Sequence, residues 1–404
     1  MLKNQAFQLL RDGDYLRLWL TGAITATLRW LEVLGIGVYT LEVTGSPLNV
    51  ALMLFARTLP GVFLGSITGN LASRYNRKTL LRAGLALLSV NAFVLAGLSI
   101  TGGLSLWHIA IGAVLSGVVW TLEHPVRRTL LGDVAGLDRL KPAMSLDQVT
   151  FNLTRTTGPL LGGGIYLLLG LSGIYIVAAI SFVCTLVLVS TVRISGQNTS
   201  AGRDSFWSNL TEGFRYVARR PVLRSVLIIT LIENFFGFSY ATMVPVIGRQ
   251  TLALDAGGIG VLQSMEGVGA TIAAIVLAAG TRAFSFGRMF SMGALLFMAG
   301  VLLFARSDTF LWACIGLLVA GPGLAAFGAM QSTILLQHSD PEQRVRVMGV
   351  LVMCIGAGPI GVITVGLLAN MIGPVKALTA MTTVGILLLI FTFTNSRELL
   401  TRQV

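Results

Sequence analysis

Six residues carry charge inside stretches that are otherwise apolar: Arg29, Glu32, Arg57, Arg155, Glu233 and Glu266. Near a bilayer centre each unpaired charge costs about 2.5–3.5 kcal/mol on insertion scales, so a chain that keeps them pairs them or uses them. The chemistry open to such a set is movement of protons and charge. Burial favours the neutral form of a carboxyl group, and a neighbouring arginine favours the ionised form. A carboxyl group that moves between those settings takes up a proton in one and releases it in the other. Glu32, Glu233 and Glu266 are therefore the candidates for proton coupling. Arg29, Arg57 and Arg155 are the candidates as their charge partners or as anchors for an anionic ligand. Arg29 and Glu32 stand three apart, which makes them neighbours on one helical face. They read either as a self-neutralising pair that permits insertion or as a pair broken by proton or substrate. Glu123, beside His124 and Arg127, reads as a salt bridge at the cytoplasmic end of its span, and Asp147 reads similarly. Gln148, Asn152, Asn234, Tyr240 and Gln331 are polar candidates for the wall of a cavity. Soft and aromatic side chains such as Phe235, Phe238, Met243, Met265, Phe297, Phe327 and Met330 suit an adaptable apolar lining, although most of them are expected simply to pack.

These residues are positioned by apolar runs that recur from end to end. Hydrophobic residues make up 54% of the 404 and charged residues 11%, against about 25% charged in soluble domains. The runs predict twelve membrane-spanning helices, each long enough to cross. They cover residues 15–41, 47–72, 79–101, 104–126, 143–169, 172–193, 223–248, 257–280, 286–305, 309–336, 346–371 and 374–394. The fold class is thus an all-α membrane protein with two pseudo-symmetric six-helix halves. The first half is residues 1–194 and the second 222–404, joined by a polar segment at 195–221. That joining segment starts as a linker, Ser195 to Ser205. It continues from Phe206 to Arg220 with the apolar and basic pattern of an amphipathic helix on the cytoplasmic face.

The formal charge of +12 is topological and not a nucleic-acid footprint. Of the 29 Lys and Arg, 23 fall on one side, 3 on the other and 3 within the spans. This bias places both termini in the cytoplasm. No removable signal peptide is read at the start. Cys184, Cys314 and Cys354 lie apart within apolar runs, and His108, His124 and His338 are scattered, so neither a disulfide framework nor a metal site is expected. No phosphate-cradling Gly-x-x-x-x-Gly-Lys-Ser/Thr loop is present, which argues against ATP drive, and no cofactor is expected. The expected partners are a small-molecule substrate, protons and the bilayer, without nucleic acid and with the protein monomeric.

Two landmarks speak for an internal repeat. Gly158-Pro159-Leu160-Leu161-Gly162-Gly163 in the fifth span has a near copy 200 residues on, at Gly358-Pro359-Ile360-Gly361 in the eleventh. Glycines four apart let a neighbouring helix approach closely, and the proline removes a donor and bends the helix. A shift of 209 residues sets the second span over the eighth, with Arg57 over Glu266. Repeats of this kind hold a substrate near the membrane midplane.

Several stretches resemble the major facilitator superfamily, and within it the drug:proton antiporter branch that holds macrolide efflux proteins and the enterobactin exporter. They include Tyr15-Leu16-Arg17-Leu18-Trp19-Leu20, Ala56-Arg57-Thr58-Leu59-Pro60, His124-Pro125-Val126-Arg127-Arg128 and the run from Asp340 to Gly349. The superfamily loop after the second span reads here Gly69-Asn70-Leu71-Ala72-Ser73-Arg74-Tyr75-Asn76-Arg77-Lys78. Gly69, Arg74, Arg77 and Lys78 match, while Ser73 replaces the usual aspartate, which implies a weaker latch between the halves. Gly158-Pro159 with Gly162-Gly163 matches the exporter signature of span five, with Thr154 in place of its earlier glycine. The resemblance implies a secondary transporter of the bacterial inner membrane that exports an amphipathic small molecule against inward proton flow by alternating access. Other readings are export of a siderophore or similar anionic metabolite, flipping of a lysophospholipid, and a non-transporting scaffold or sensor on the same fold. An enzyme is not expected, since no convergent nucleophile, base or metal set is present.

Overall fold

The computed structural model describes residues 8–193, 206–278 and 285–400. The linker expected at Ser195 to Ser205 lies outside them. Among the described residues nine helices are long and apolar enough to cross a membrane. One of these, Leu140–Ser190, is 51 residues long and leaves helical geometry at Gly170, whose φ is 63°. A positive φ is accessible to glycine at little cost, so this one helix holds the fifth and sixth spans. The first two spans are the helices Gly13–Thr44 and Pro47–Arg74. They carry Arg29, Glu32 and Arg57 and complete the twelve.

The chain divides into two compact units. One holds the residues up to Thr40 together with Ala56–Gly202, and the other holds Leu41–Phe55 with the chain from Arg203 onward. Each has its own apolar core: Leu18, Leu81, Leu85, Leu130 and Phe182 belong to the first, and Phe290, Phe297, Phe304, Leu317 and Leu335 to the second. In the second unit Leu41–Phe55 sits against the eleventh span, where a Cβ built on Gly366 would lie 2.4 Å from that of Ala51. Glu42 is 3.6 Å from Arg249 there.

In a bilayer, helix association has no hydrophobic drive between spans, and small residues supply the close packing instead. The ninth span, Phe286–Ala305, and the tenth, Phe310–Gln337, show this most clearly. A Cβ at Gly300 would come within 2.6 Å of the Gly316 carbonyl, and one at Gly323 within 2.3 Å of the Phe297 nitrogen. The repeat read from the sequence recurs in this packing. Gly117 of the fourth span rests on the Arg57 carbonyl, 2.0 Å from a built Cβ, and Gly321 of the tenth rests on the Glu266 carbonyl at 2.3 Å. Arg57 and Glu266 thus hold equivalent places within their own units. Likewise Gly158 meets Trp30 and Gly162 meets Leu31 in the first unit, while Gly361 meets the Phe235 carbonyl in the second. Gly163 is buried beside them. Substituting alanine at Gly117 must push two helices apart, and overpacking of this kind costs about 1–3 kcal/mol. Thermal unfolding of the detergent-purified G117A variant is expected to fall accordingly, whereas Gly164→Ala, which meets open space, should leave it unchanged.

The bend expected at both prolines occurs as a break in one copy. The backbone stays helical through Pro159, with Gly170 the one non-helical position in that helix. The eleventh span does break, into Arg344–Ile355 and Gly358–Ile372, so that Pro359 stands at the start of the second piece. Proline's missing N–H costs nothing in the first turn of a helix.

The described part of the polar segment between the halves holds the helix Phe206–Ala218. It is held to the segment leading into span eleven. Tyr216 donates its hydroxyl to Asp340 at 3.0 Å, Arg220 reaches the same carboxylate at 2.7 Å, and Glu212 pairs with Arg346 at 2.8 Å. The Asp340 run therefore docks this helix. After the second span, Gly69, Ser73 and Arg74 end its helix, and the Ser73 side chain lies outside those described. Arg77 binds Asp133 at 3.0 Å, and the Lys78 ammonium reaches the Val192 carbonyl.

Candidate functional site

The first unit gathers its intramembrane charges into one core. Glu32, buried on the first span, accepts from Arg57 of the second, with Nη1 to Oε2 at 2.9 Å. Its partner is thus across a helix interface and not Arg29 three residues before it. Arg29 instead lays its guanidinium over the Trp120 ring of span four, 4.0 Å from the centroid. The indole face of tryptophan is a favourable seat for a cation and competes here with the local carboxylate. Arg155 of span five lies 5.3 Å from the Trp30 ring.

One step along span four, Glu123 and Arg127 pair at 3.1 Å, and the same arginine reaches Asp147 of span five at 2.7 Å. Arg128 adds a longer contact to Asp147, 3.3 Å, and Thr25 of span one donates to Glu123 at 3.4 Å. The salt bridges expected at a cytoplasmic boundary therefore exist, but the groups are 3–5% exposed. Burial follows from length. The fourth helix runs Leu106–Ala135 and the fifth span begins at Leu140, so both flank the pair where the sequence places a span end. Trp120 stacks toward Phe151 and His124, closing that side.

Between these groups lies a cavity of about 20 Å³, lined by Thr25, Arg29, Glu32, Arg57, Ser116, Trp120 and Glu123 among others. That is room for roughly one water and far below the 300–1,000 Å³ or so of a small-molecule site. It is a proton- or water-sized space between two carboxylates. Glu123 Oε2 is buried there without a hydrogen-bond partner among the described residues. Opening the Glu32–Arg57 pair from one side should be severe, since removing one member of a buried pair costs about 3–5 kcal/mol. Arg57→Met is expected to unfold at markedly lower temperature than wild type, with recovery in the Glu32→Gln/Arg57→Met double variant.

The second unit places polar groups of the same relative position but mostly without charge. Tyr240 of span seven donates to Glu266 of span eight at 2.8 Å, as Arg57 does to Glu32 in the first unit. Gln331 of span ten donates to Thr230 at 2.7 Å, and Asn234 to the Thr230 carbonyl at 2.9 Å. These four candidates are brought together around span seven. Gln148 and Asn152 hydrogen-bond to each other at 3.3 Å along span five, with Gln148 exposed. Phe297 and Met243 are fully buried in the apolar core and Phe327 nearly so, which fits packing.

Glu233 differs from every other buried carboxyl group. It is 0% exposed, and neither side-chain oxygen has a hydrogen-bond partner among the described residues. It opens the π-type turn Glu233–Gly237, where the Phe238 N–H bonds back to the Glu233 carbonyl at 2.9 Å. Such turns insert one extra residue into a helix and concentrate at functional sites. Gly361 and Gly385 press on Phe235 and Phe236 from neighbouring spans, giving the turn a close-packed mould. Nothing in apolar periodicity marks it beforehand.

The family model described as transmembrane secretion effector matches residues 4–401. Among curated proteins, the staphyloferrin A transporter of Staphylococcus aureus is 22% identical over 87% of this chain and 88% of its own length. The multidrug efflux pump Tap of Mycolicibacterium fortuitum is 25% identical over 82% of this chain and 83% of its own. Among solved structures, a peptide transporter POT in complex with sulfate superposes with a TM-score of 0.78 at 14% identity, covering 96% of this chain and 95% of that one. At that identity the likeness speaks for the fold alone.

Proposed function

The chain belongs to the transmembrane secretion effector family of the major facilitator superfamily, and from that premise we propose that it is a proton-coupled exporter of an amphipathic small molecule. It works by alternating access, as a monomer in the bacterial inner membrane with both termini in the cytoplasm. The observation that carries the coupling is Glu233, a carboxyl group fully buried without a hydrogen-bond partner among the described residues. A proton on Glu233 is the cheapest way to hold it there, because an unpaired carboxylate in an apolar setting is strongly disfavoured. Release of that proton drives the π-type turn to rearrange. Glu32 and Glu266 respond in turn, through contacts to Arg57 and to Tyr240 that protonation weakens. Export by the Tap pump named above supports the direction, and the sparse histidines and cysteines support transport without chemistry on the substrate.

The test is export of ethidium and of a labelled siderophore from cells expressing wild type, Glu233→Gln or Glu266→Gln, with and without a protonophore. Wild-type export of either compound that the protonophore stops and Glu233→Gln abolishes is the expected result. Export that ignores the protonophore contradicts proton coupling. Export of neither compound removes the drug and siderophore assignments and turns attention to lipid flipping.

A further inference from the structure

We propose that Arg29, seated on Trp120 and beside the indole N–H of Trp30, is the anchor for a carboxylate on the exported molecule, so that the substrate is an anionic amphiphile. The inference rests on the export reading and gives its substrate a chemical class. Arg29 lies on the first span at the edge of the small cavity, and its guanidinium makes no hydrogen bond or ion pair among the described residues. Of the carboxylates that line the cavity with it, Glu32 holds Arg57, and Glu123 holds Arg127 through Oε1 while its Oε2 has no hydrogen-bond partner among the described residues. Arg29 is half-buried.

The seat is built rather than incidental. The Trp120 ring seats the guanidinium, and Trp120 is itself backed by His124 and Phe151 at ring distances of 5.1 and 6.2 Å. A guanidinium held by its face presents its N–H edge, and that fork matches the two oxygens of a carboxylate. The second observation is independent of the first. The Trp30 indole nitrogen, on the adjacent residue, is buried and donates to nothing among the described residues. Two neighbouring donors without acceptors, one of them cationic, call for an oxyanion. The charges acting on Arg29 from its surroundings are those of Arg57 and Arg155, which favour an anion at this place, and that of Glu123, which opposes a second one. The aromatic rings around the fork suit the apolar body of the same ligand.

The experiment uses tryptophan fluorescence, since Trp30 and Trp120 flank the seat. The purified full-length protein is titrated with 4-phenylbutyrate, 4-phenylbutanamide and 4-phenylbutylamine, which share a body and differ in charge. Lysophosphatidylglycerol is a fourth arm, because a lipid phosphate offers similar oxygens. Saturable quenching by the carboxylate, at least tenfold weaker for the amide and the amine, is the expected result. It should weaken at least tenfold in Arg29→Gln and be retained in part by Arg29→Lys. Saturation by lysophosphatidylglycerol at lower concentration than the carboxylate would keep the oxyanion seat and assign it to a lipid. Equal saturation by amide or amine, an Arg29→Gln curve that overlays wild type, or no saturation by either oxyanion overturns the proposal. The acid-against-amide comparison requires no variant and so decides the matter even where Arg29→Gln does not fold. Protonophore-sensitive export of ethidium alongside any of these failures leaves the export reading intact and removes only the anchor.

Discussion

Arg127→Met is expected to be the most destabilising single substitution in the first unit, by about 3–5 kcal/mol. Arg127 is 3% exposed and holds two carboxylates at once, Glu123 at 3.1 Å and Asp147 at 2.7 Å. Methionine fills much of the same volume, so the loss is electrostatic and not a cavity. What remains is a pair of buried acids facing each other with only the partly exposed Arg128 near Asp147. The contact also ties span four to span five, so its loss loosens two helices. Adding Glu123→Gln and Asp147→Asn to Arg127→Met removes the stranded charges and should restore most of the stability, since replacing a whole buried ionic group is often neutral. Fluorescence-detected size exclusion after a temperature ramp checks both halves. A single variant as stable as wild type would mean that the network carries no net energy.

Glu233→Leu is expected to act in the opposite sense, raising stability by about 1–3 kcal/mol while abolishing coupled transport. The magnitude is that of a buried polar group left unsatisfied, which describes both oxygens of Glu233. Leucine is close in volume and suits the surroundings, where Phe297 and Met298 approach Gly237 beside the carboxyl group. A more stable but inactive protein is the pattern expected where a strained functional group is exchanged for a packing residue. The same thermal ramp, run beside the export assay, separates the two effects. Lower stability with retained export would assign Glu233 a structural role.

The spans, their order and the internal repeat were legible in the sequence, because hydropathy and glycine spacing report directly on helices that must bury their backbone in lipid. Arg57 over Glu266 was legible as well, through a simple offset, and the packing of Gly117 and Gly321 gives it a physical basis. Partner choice was not legible. Arg29 and Glu32 are local neighbours, yet Glu32 binds Arg57, 25 residues on, and Arg29 turns to Trp120. Helical spacing names the residues that can meet, whereas the interface between helices selects those that do. Glu123 and Asp147 looked interfacial because the apolar run ends near them; their burial depends on helices that continue past it. The π-type turn at Glu233 left no trace in apolar periodicity, and the close neighbours of its Phe235 and Phe236, Gly361 and Gly385, come from spans far along the chain. The role of Asp340 in holding the Phe206–Ala218 helix also depends on such a distant contact.

The most direct test of the central claim is proton movement in proteoliposomes. Wild type and Glu233→Gln are reconstituted with pyranine inside, an imposed pH gradient and a potassium–valinomycin clamp, and ethidium or 4-phenylbutyrate is added to start exchange. The account predicts a substrate-dependent pH change in wild type, for at least one of the two compounds, that is absent in Glu233→Gln. A pH change of equal rate in the variant, or substrate movement in wild type without any pH change, would contradict it.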